Sequence, residues 1–278
     1  MIRLCLALVL AAGPAAAQDR VLALGGSVTE IAFALGQGDR LVARDSTSTF
    51  PPHAQALPDV GYMRALTPEG VLSVAPDLIL AEDGAGPPET VAMLRQAGVP
   101  FRTLPDGHDP ETLRDKIAGV AEALAVPEAA APLLAGLDAD LDRLRRATAT
   151  IDRPRRVMFV LTAQGGRVLA AGQGSGADAM IRMAGAQNAM QGFDGYKPLT
   201  DEAVSAADPE VIVTISRGEP GGEHPDLDAR LLATPAIAST TAGRTNAVIR
   251  MDGLYLLGFG PRTGQAALDL HNAIYGKG

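Results

Sequence analysis

Tyr62 closes the loop Leu57-Pro58-Asp59-Val60-Gly61-Tyr62, just ahead of a helix, in a chain with four tyrosines, six phenylalanines and no tryptophan. A phenolate oxygen is a hard anionic ligand suited to ferric iron, including the iron of haem. Arg64, two residues on, can favour the charged form of that phenol or pair with a carboxylate. On residue types alone both readings stay open: a tyrosine packing its loop against neighbours, or a tyrosine offering an oxygen to a metal.

Other chemistries find less support. The chain has no GxSxG, HExxH or P-loop sequence. Gly172-Gln173-Gly174-Ser175-Gly176 is glycine-rich ahead of a helix but lacks the third spaced glycine and the lysine, and reads as a tight strand-to-helix turn. His53, His108, His224 and His271 lie far apart and read as solvated surface residues rather than ligands. Glu82-Asp83, at the end of a strand, could supply acid–base chemistry, but no nucleophile or metal set accompanies it. Cys5 is the only cysteine, which leaves no disulfide, cysteine-ligated zinc or CxxC chemistry. Nothing here proposes an enzyme.

The 278 residues, 47% of them hydrophobic, can fill one large or two medium α/β domains. With a fifth of the residues charged the chain is not a disordered one, and a net charge of −8 argues against a nucleic-acid partner. Arg3, the apolar run Leu4–Ala12 and the small residues Ala15-Ala16-Ala17 read as a secretory signal peptide over residues 1–17. No other segment approaches the length of an apolar span. The expectation is a soluble, exported product.

The elements that must hold Tyr62 follow from periodicity. Short β-branched runs alternate with helix-period segments, the pattern of a largely parallel α/β sheet. Strands are predicted over Val21–Leu24, Leu41–Arg44, Asp77–Ala81, Phe101–Leu104, Val157–Leu161, Val168–Ala170, Val211–Ile215 and Ala247–Arg250. Ser27, with Glu30 at the capping-box position, is expected to cap a helix over Thr29–Leu35, and Ser175 one over Ala177–Ala184. Further helices are predicted over Pro68–Val74, Pro88–Ala97, Pro110–Leu124 and Thr263–Tyr275. Leu133, Leu137, Leu141 and Leu144, spaced by four, four and three, predict one long helix over Pro127–Ala149.

The second half echoes the first. Gly61-Tyr62-Met63-Arg64-Ala65-Leu66-Thr67-Pro68-Glu69 has a counterpart in Gly195-Tyr196-Lys197-Pro198-Leu199-Thr200-Asp201-Glu202, and from Leu66 onward the register holds at an offset of 133. The expected organisation is therefore a signal peptide (1–17), an N-terminal lobe (18–126), a linker helix (127–150) and a C-terminal lobe (151–278). Two α/β lobes joined by a rigid helix leave a cleft, where ligands usually sit.

Leu24-Gly25-Gly26-Ser27-Val28-Thr29-Glu30, Pro58–Leu66 with its Gly-Tyr-x-Arg, and Asp252–Arg262 carry a resemblance that covers essentially residues 20–275. The chain resembles the haem-binding periplasmic proteins of bacterial haemin ABC importers, in the helix-linked class that also holds cobalamin and ferric-siderophore receptors. The resemblance implies two Rossmann-like lobes with mostly parallel sheets on one linker helix, and a monomeric periplasmic receptor with ferric haem as cargo. It places Tyr62 as the axial iron ligand and Arg64 as a pocket arginine. Arg217 faces them from the second lobe, with Tyr196, the repeat counterpart of Tyr62, in the same pocket. It implies that Glu69 and Glu202, one per lobe, dock onto an inner-membrane ABC permease dimer with its ATPase. No histidine falls between Asp109 and Glu223, so one five-coordinate haem is the simpler expectation. Cobalamin or a ferric siderophore is the alternative cargo.

Overall fold

The computed structural model describes residues 19–164, 167–216 and 225–276. The signal peptide expected over 1–17, Arg217 and His224 lie outside the described residues.

The first lobe runs β1 (Val21–Leu24), α1 (Gly26–Ala34), β2 (Leu41–Arg44), α2 (Pro68–Ser73), β3 (Leu78–Glu82), α3 (Pro88–Gln96), β4 (Phe101–Leu104) and α4 (Pro110–Ala123). Its strands form a four-stranded parallel sheet in the order β2-β1-β3-β4. Val21 to Leu24 and Leu78 to Ala81 are almost wholly buried, as expected of parallel strands covered on both faces.

α5 (Ala130–Thr148) then leads to β5 (Arg156–Gln164), β6 (Arg167–Ala171), α6 (Gly176–Met183), β7 (Gln187–Asn188), β8 (Tyr196–Leu199), α7 (Asp201–Ala207) and β9 (Val211–Ser216). α8 (Pro225–Leu232), α9 (Pro235–Ala238), α10 (Thr241–Thr245), β10 (Val248–Asp252), α11 (Gly253–Leu257) and α12 (Thr263–Tyr275) complete the chain. The second sheet has the order β10-β9-β5-β6-β8, with β7 beside β5. Its β10, β9, β5 and β7 are mutually parallel, but β6 is antiparallel to both β5 and β8. The second sheet is thus mostly parallel, as expected, with β6 as its one reversed strand. Only two residues separate β5 from β6, too few for the crossover that parallel pairing needs.

α5 belongs to both cores. Leu137 and Leu141 pack with α1 and α4 of the first lobe, while Leu144 packs with β5, α6 and α12 of the second. α12 lies close along α5: a Cβ on Gly264 would come within 2.7 Å of the Asp140 Cβ. Thr263-Gly264 thus lets the closing helix seat on the linker.

One capping expectation fails. α1 starts at Gly26 with Gly25 as its N-cap, at φ 114°, and no side chain caps it; Ser27 and Glu30 lie inside the helix. Both side chains have other partners: Ser27 donates to Glu82, and Glu30 pairs with Arg262. Ser175 does cap α6, accepting from the Asp178 amide at 3.2 Å.

Candidate functional site

Tyr62 is presented by a loop with buried anchors. Met63 and Leu66 are 4% and 3% exposed, whereas Tyr62 is 48% exposed, so its phenol is not packed inside a lobe. Gly61 precedes it at φ 98°, a conformation that favours glycine. The loop is tied down on each side: the Gly61 carbonyl accepts from the Ser46 amide at 3.0 Å, and Met63 and Leu66 exchange backbone bonds of 2.9 Å with Gly86. With Met63 directed inward, Tyr62 and Arg64 are left facing out. Arg64 pairs with Asp106 at 3.5 Å.

On the second lobe Tyr196 begins β8, an edge strand, and is 40% exposed. Its ring meets Phe159 edge-on at 6.3 Å. Burial raises the Tyr196 phenol above its ordinary value, while the Ala177 amide and the Arg64 charge pull it back. The Arg64 charge of the first lobe thus favours the ionised form of a second-lobe phenol.

His108 lies at the contact between lobes. Its ring packs on Phe259 at 4.7 Å, and a Cβ on Gly176, at the start of α6, would lie 3.2 Å from its Nε2. Burial lowers its pKa; Asp106 and Asp109 oppose this, and Lys116 and Arg64 reinforce it. Two histidine expectations are corrected. His271 is buried on the inner side of α12, its Nδ1 3.0 Å from the Ala184 carbonyl oxygen, and His108 is half-buried against the other lobe. His53 is exposed, edge-on to Phe33.

Glu82 is not a free acid–base group beside Asp83. It is buried under the carboxyl ends of β1 and β3, bonded by the Ser27 hydroxyl and, at 2.7 Å, by Lys116 Nζ. Burial raises its pKa against the opposing pull of Lys116. Gly25 makes room for it: a Cβ there would stand 2.6 Å from Glu82 Oε2. Lys116, wholly buried, was not singled out from the sequence. Its signal is there: it falls on the apolar stripe of α4, between Leu113 and Ile117.

Glu69 and Glu202 occupy matching places. Each is exposed in the first turn of its helix, α2 or α7. Each of those helices is capped by a threonine: Thr67 Oγ1 accepts from the Gly70 amide at 3.1 Å and Thr200 Oγ1 from the Ala203 amide at 3.3 Å. The Glu202 carboxyl is held below its usual value by its own backbone amide and the Thr200 hydroxyl.

A second inter-lobe contact joins α1 to the segment before α12. Arg262 makes paired bonds to Glu30 at 2.7 and 2.8 Å, with its guanidinium 3.5 Å from the centre of the Phe50 ring and 4.9 Å from that of Tyr255. Beside it lies a cavity of about 570 Å³ lined by Glu30, Phe33, Phe50, Leu133, Leu137 and Arg262 among others; Tyr62, Arg64 and Tyr196 are not part of it.

The molecule thus has two lobes and a helix, α5, shared by both cores. The profile of the periplasmic binding protein family matches residues 21–254. The chain belongs to that family. Among solved structures, the periplasmic heme-binding protein BhuT, in complex with two hemes, is 48% identical, with a TM-score of 0.85 over 92% of this chain and 97% of that one. The periplasmic heme-binding protein RhuT from Roseiflexus sp. RS-1 is 40% identical, with a TM-score of 0.86 over 93% and 98%. A vitamin B12-binding protein of Vibrio cholerae is 32% identical over 201 residues, 70% of each chain. The chain spans 63% of the length of the Bacillus subtilis substrate-binding lipoprotein YvrC. In this periplasmic binding protein, no three His, Cys, Asp or Glu side chains gather as a metal site among the described residues. None of the described helices is long and apolar enough to cross a membrane.

Proposed function

We propose that this periplasmic binding protein captures ferric haem between its lobes, with the Tyr62 phenolate on the iron, and delivers it to an inner-membrane ABC permease. The observation that carries the reading is the exposed Tyr62 phenol, held out by a buried neighbour and two residues from a solvent-facing arginine. The apolar macrocycle is buried in the cleft while a few polar groups orient it. Arg64, together with Arg217, offsets phenolate and propionate charge, and Tyr196 lines the opposite wall. BhuT and RhuT, both described as heme-binding, support this cargo. One five-coordinate haem on Tyr62 is the reading; BhuT takes two hemes.

The working chain consists of lobes 18–126 and 151–278 on the linker 127–150, exported by a signal peptide over 1–17 and acting as a periplasmic monomer. Glu69 and Glu202, one per lobe, meet arginines on a two-subunit permease driven by its ATPase. The role is binding and delivery, without chemistry on the cargo.

Cobalamin is the second reading, favoured by the Vibrio cholerae vitamin B12-binding relative. Titration with haemin, followed by competition with cobalamin, separates the two. The haem reading expects a saturable spectrum, with stoichiometry read from the break point, that cobalamin in excess does not displace. Preferential cobalamin binding would overturn it.

A further inference from the structure

We propose that Lys116 is a positioning residue for the cleft: anchored by Glu82 and Ser27, it fixes Asp106, and Asp106 aims Arg64 across the gap toward Tyr196, where it meets an anionic group of the cargo. This deepens the haem reading and rests on it for what Arg64 binds, but not for the linkage itself.

The linkage is a row of alternating charges running from the core to the cleft. Lys116 Nζ, with no exposure, stands 2.7 Å from Glu82 Oε1, 3.2 Å from Ser27 Oγ and 3.8 Å from Asp106 Oδ1. The other oxygen of Asp106, Oδ2, lies 3.5 Å from Arg64 Nη2. One carboxylate thus lies within ion-pair range of two cations through separate oxygens, one cation sealed from water and the other facing it. A solvent-facing arginine paired to a free surface acid gains little order, because both long side chains keep moving. Here the acid is tethered from behind, which narrows the directions its arginine can take.

Burying a lysine costs a great deal unless it is paired and hydrogen-bonded. Glu82 alone would meet that need if Lys116 only stapled α4 to the sheet. The approach to Asp106 goes further and carries the buried charge to the cleft. At an offset of 133, the place of Glu82 is taken in the second lobe by Ile215.

The test reads Tyr196 in the protein without cargo. The Arg64 charge lowers the Tyr196 phenol against the upward push of burial. Lys116→Met keeps an unbranched side chain and removes the charge. Asp106→Asn severs the same link at a partly exposed position and serves should the buried change impair folding. Carbon-labelled tyrosine NMR, with the resonance assigned by Tyr196→Phe, gives the phenol's titration. Both variants, like Arg64→Met, are expected to raise it; a titration unchanged in folded Lys116→Met or Asp106→Asn, when Arg64→Met moves it, would overturn the proposal.

Haemin affinity supplies the second arm. Lys116→Met and Arg64→Met should each weaken binding about tenfold, as losses behind a ligand shell do, and the double variant should bind no more weakly than Arg64→Met alone. Additive losses would mean that Lys116 acts independently of Arg64 and would also overturn the proposal. A wild type that ignores haemin defeats the haem reading, while the Tyr196 titration still decides the linkage.

Discussion

The two lobes agree where physics leaves little choice and part where a ligand would be met. Thr67 and Thr200 cap corresponding helices, and Val71 and Val204, then Ile79 and Ile212, are buried at the same offset in their sequences. Beyond these points the lobes diverge. The tyrosine of the first lobe sits in a turn beside an arginine, whereas that of the second opens an edge strand and is followed by Lys197 and Pro198. β3 ends on a buried acid with a lysine beneath it; β9 carries Ile215 there. Caps and core positions serve any α/β lobe, while the carboxyl ends of the strands are where such lobes hold ligands. The two halves share a scaffold and differ at the strand ends.

The largest effect expected on this comparison comes from cutting what joins the halves. Arg262→Ala leaves Glu30, 5% exposed, without its cation. The expected cost is about 3 kcal/mol, the low end for a broken buried pair because Arg262 is partly exposed. Urea unfolding measures it, and a loss below about 1 kcal/mol would mean that α5 and the His108 contact, not this pair, hold the lobes together. Next is delivery. Glu69→Lys and Glu202→Lys should each slow uptake by a reconstituted permease about tenfold with haemin affinity intact. An effect confined to one of them would break the symmetry of docking.

Smaller effects test the shared scaffold. Thr67→Ala and Thr200→Ala should each cost about 1 kcal/mol of stability, as loss of an N-cap does, and unequal costs would show that the two helices are not equivalent. The smallest concerns His108. Its pKa is lowered in the folded state, so the unfolded chain binds the proton more readily. Stability from the neutral ring is full above the ordinary value of 6.5 and is lost as pH falls toward the lowered one. His108→Leu should therefore flatten the acid limb of a stability-against-pH curve below about pH 6.5; an unchanged limb would contradict the assignment.

Much of the scaffold was legible because it depends on local periodicity. Phe101–Leu104 and Thr263–Tyr275 form where their patterns predict, and Leu137, Leu141 and Leu144 are buried on α5 as their spacing requires. The failures have a common cause in contacts made far along the chain. Ser27 has a capping sequence, yet its hydroxyl goes to Glu82, 55 residues away. Glu30 meets Arg262 across 232 residues. Of the candidate site, the exposed Tyr62 could be picked out from the rarity of aromatics and its place before a helix. Lys116 could have been found as a charge on an apolar stripe, but Asp106 and Glu82 as its partners could not.

The central claim is that the Tyr62 oxygen binds the iron. The most direct measurement is the absorption spectrum of the haemin-loaded protein beside that of Tyr62→Phe, which keeps the ring and removes the oxygen. The account predicts a high-spin ferric tyrosinate spectrum in the wild type that is absent from the variant, with affinity lower by about 100-fold or more. An identical spectrum and affinity in Tyr62→Phe would contradict it.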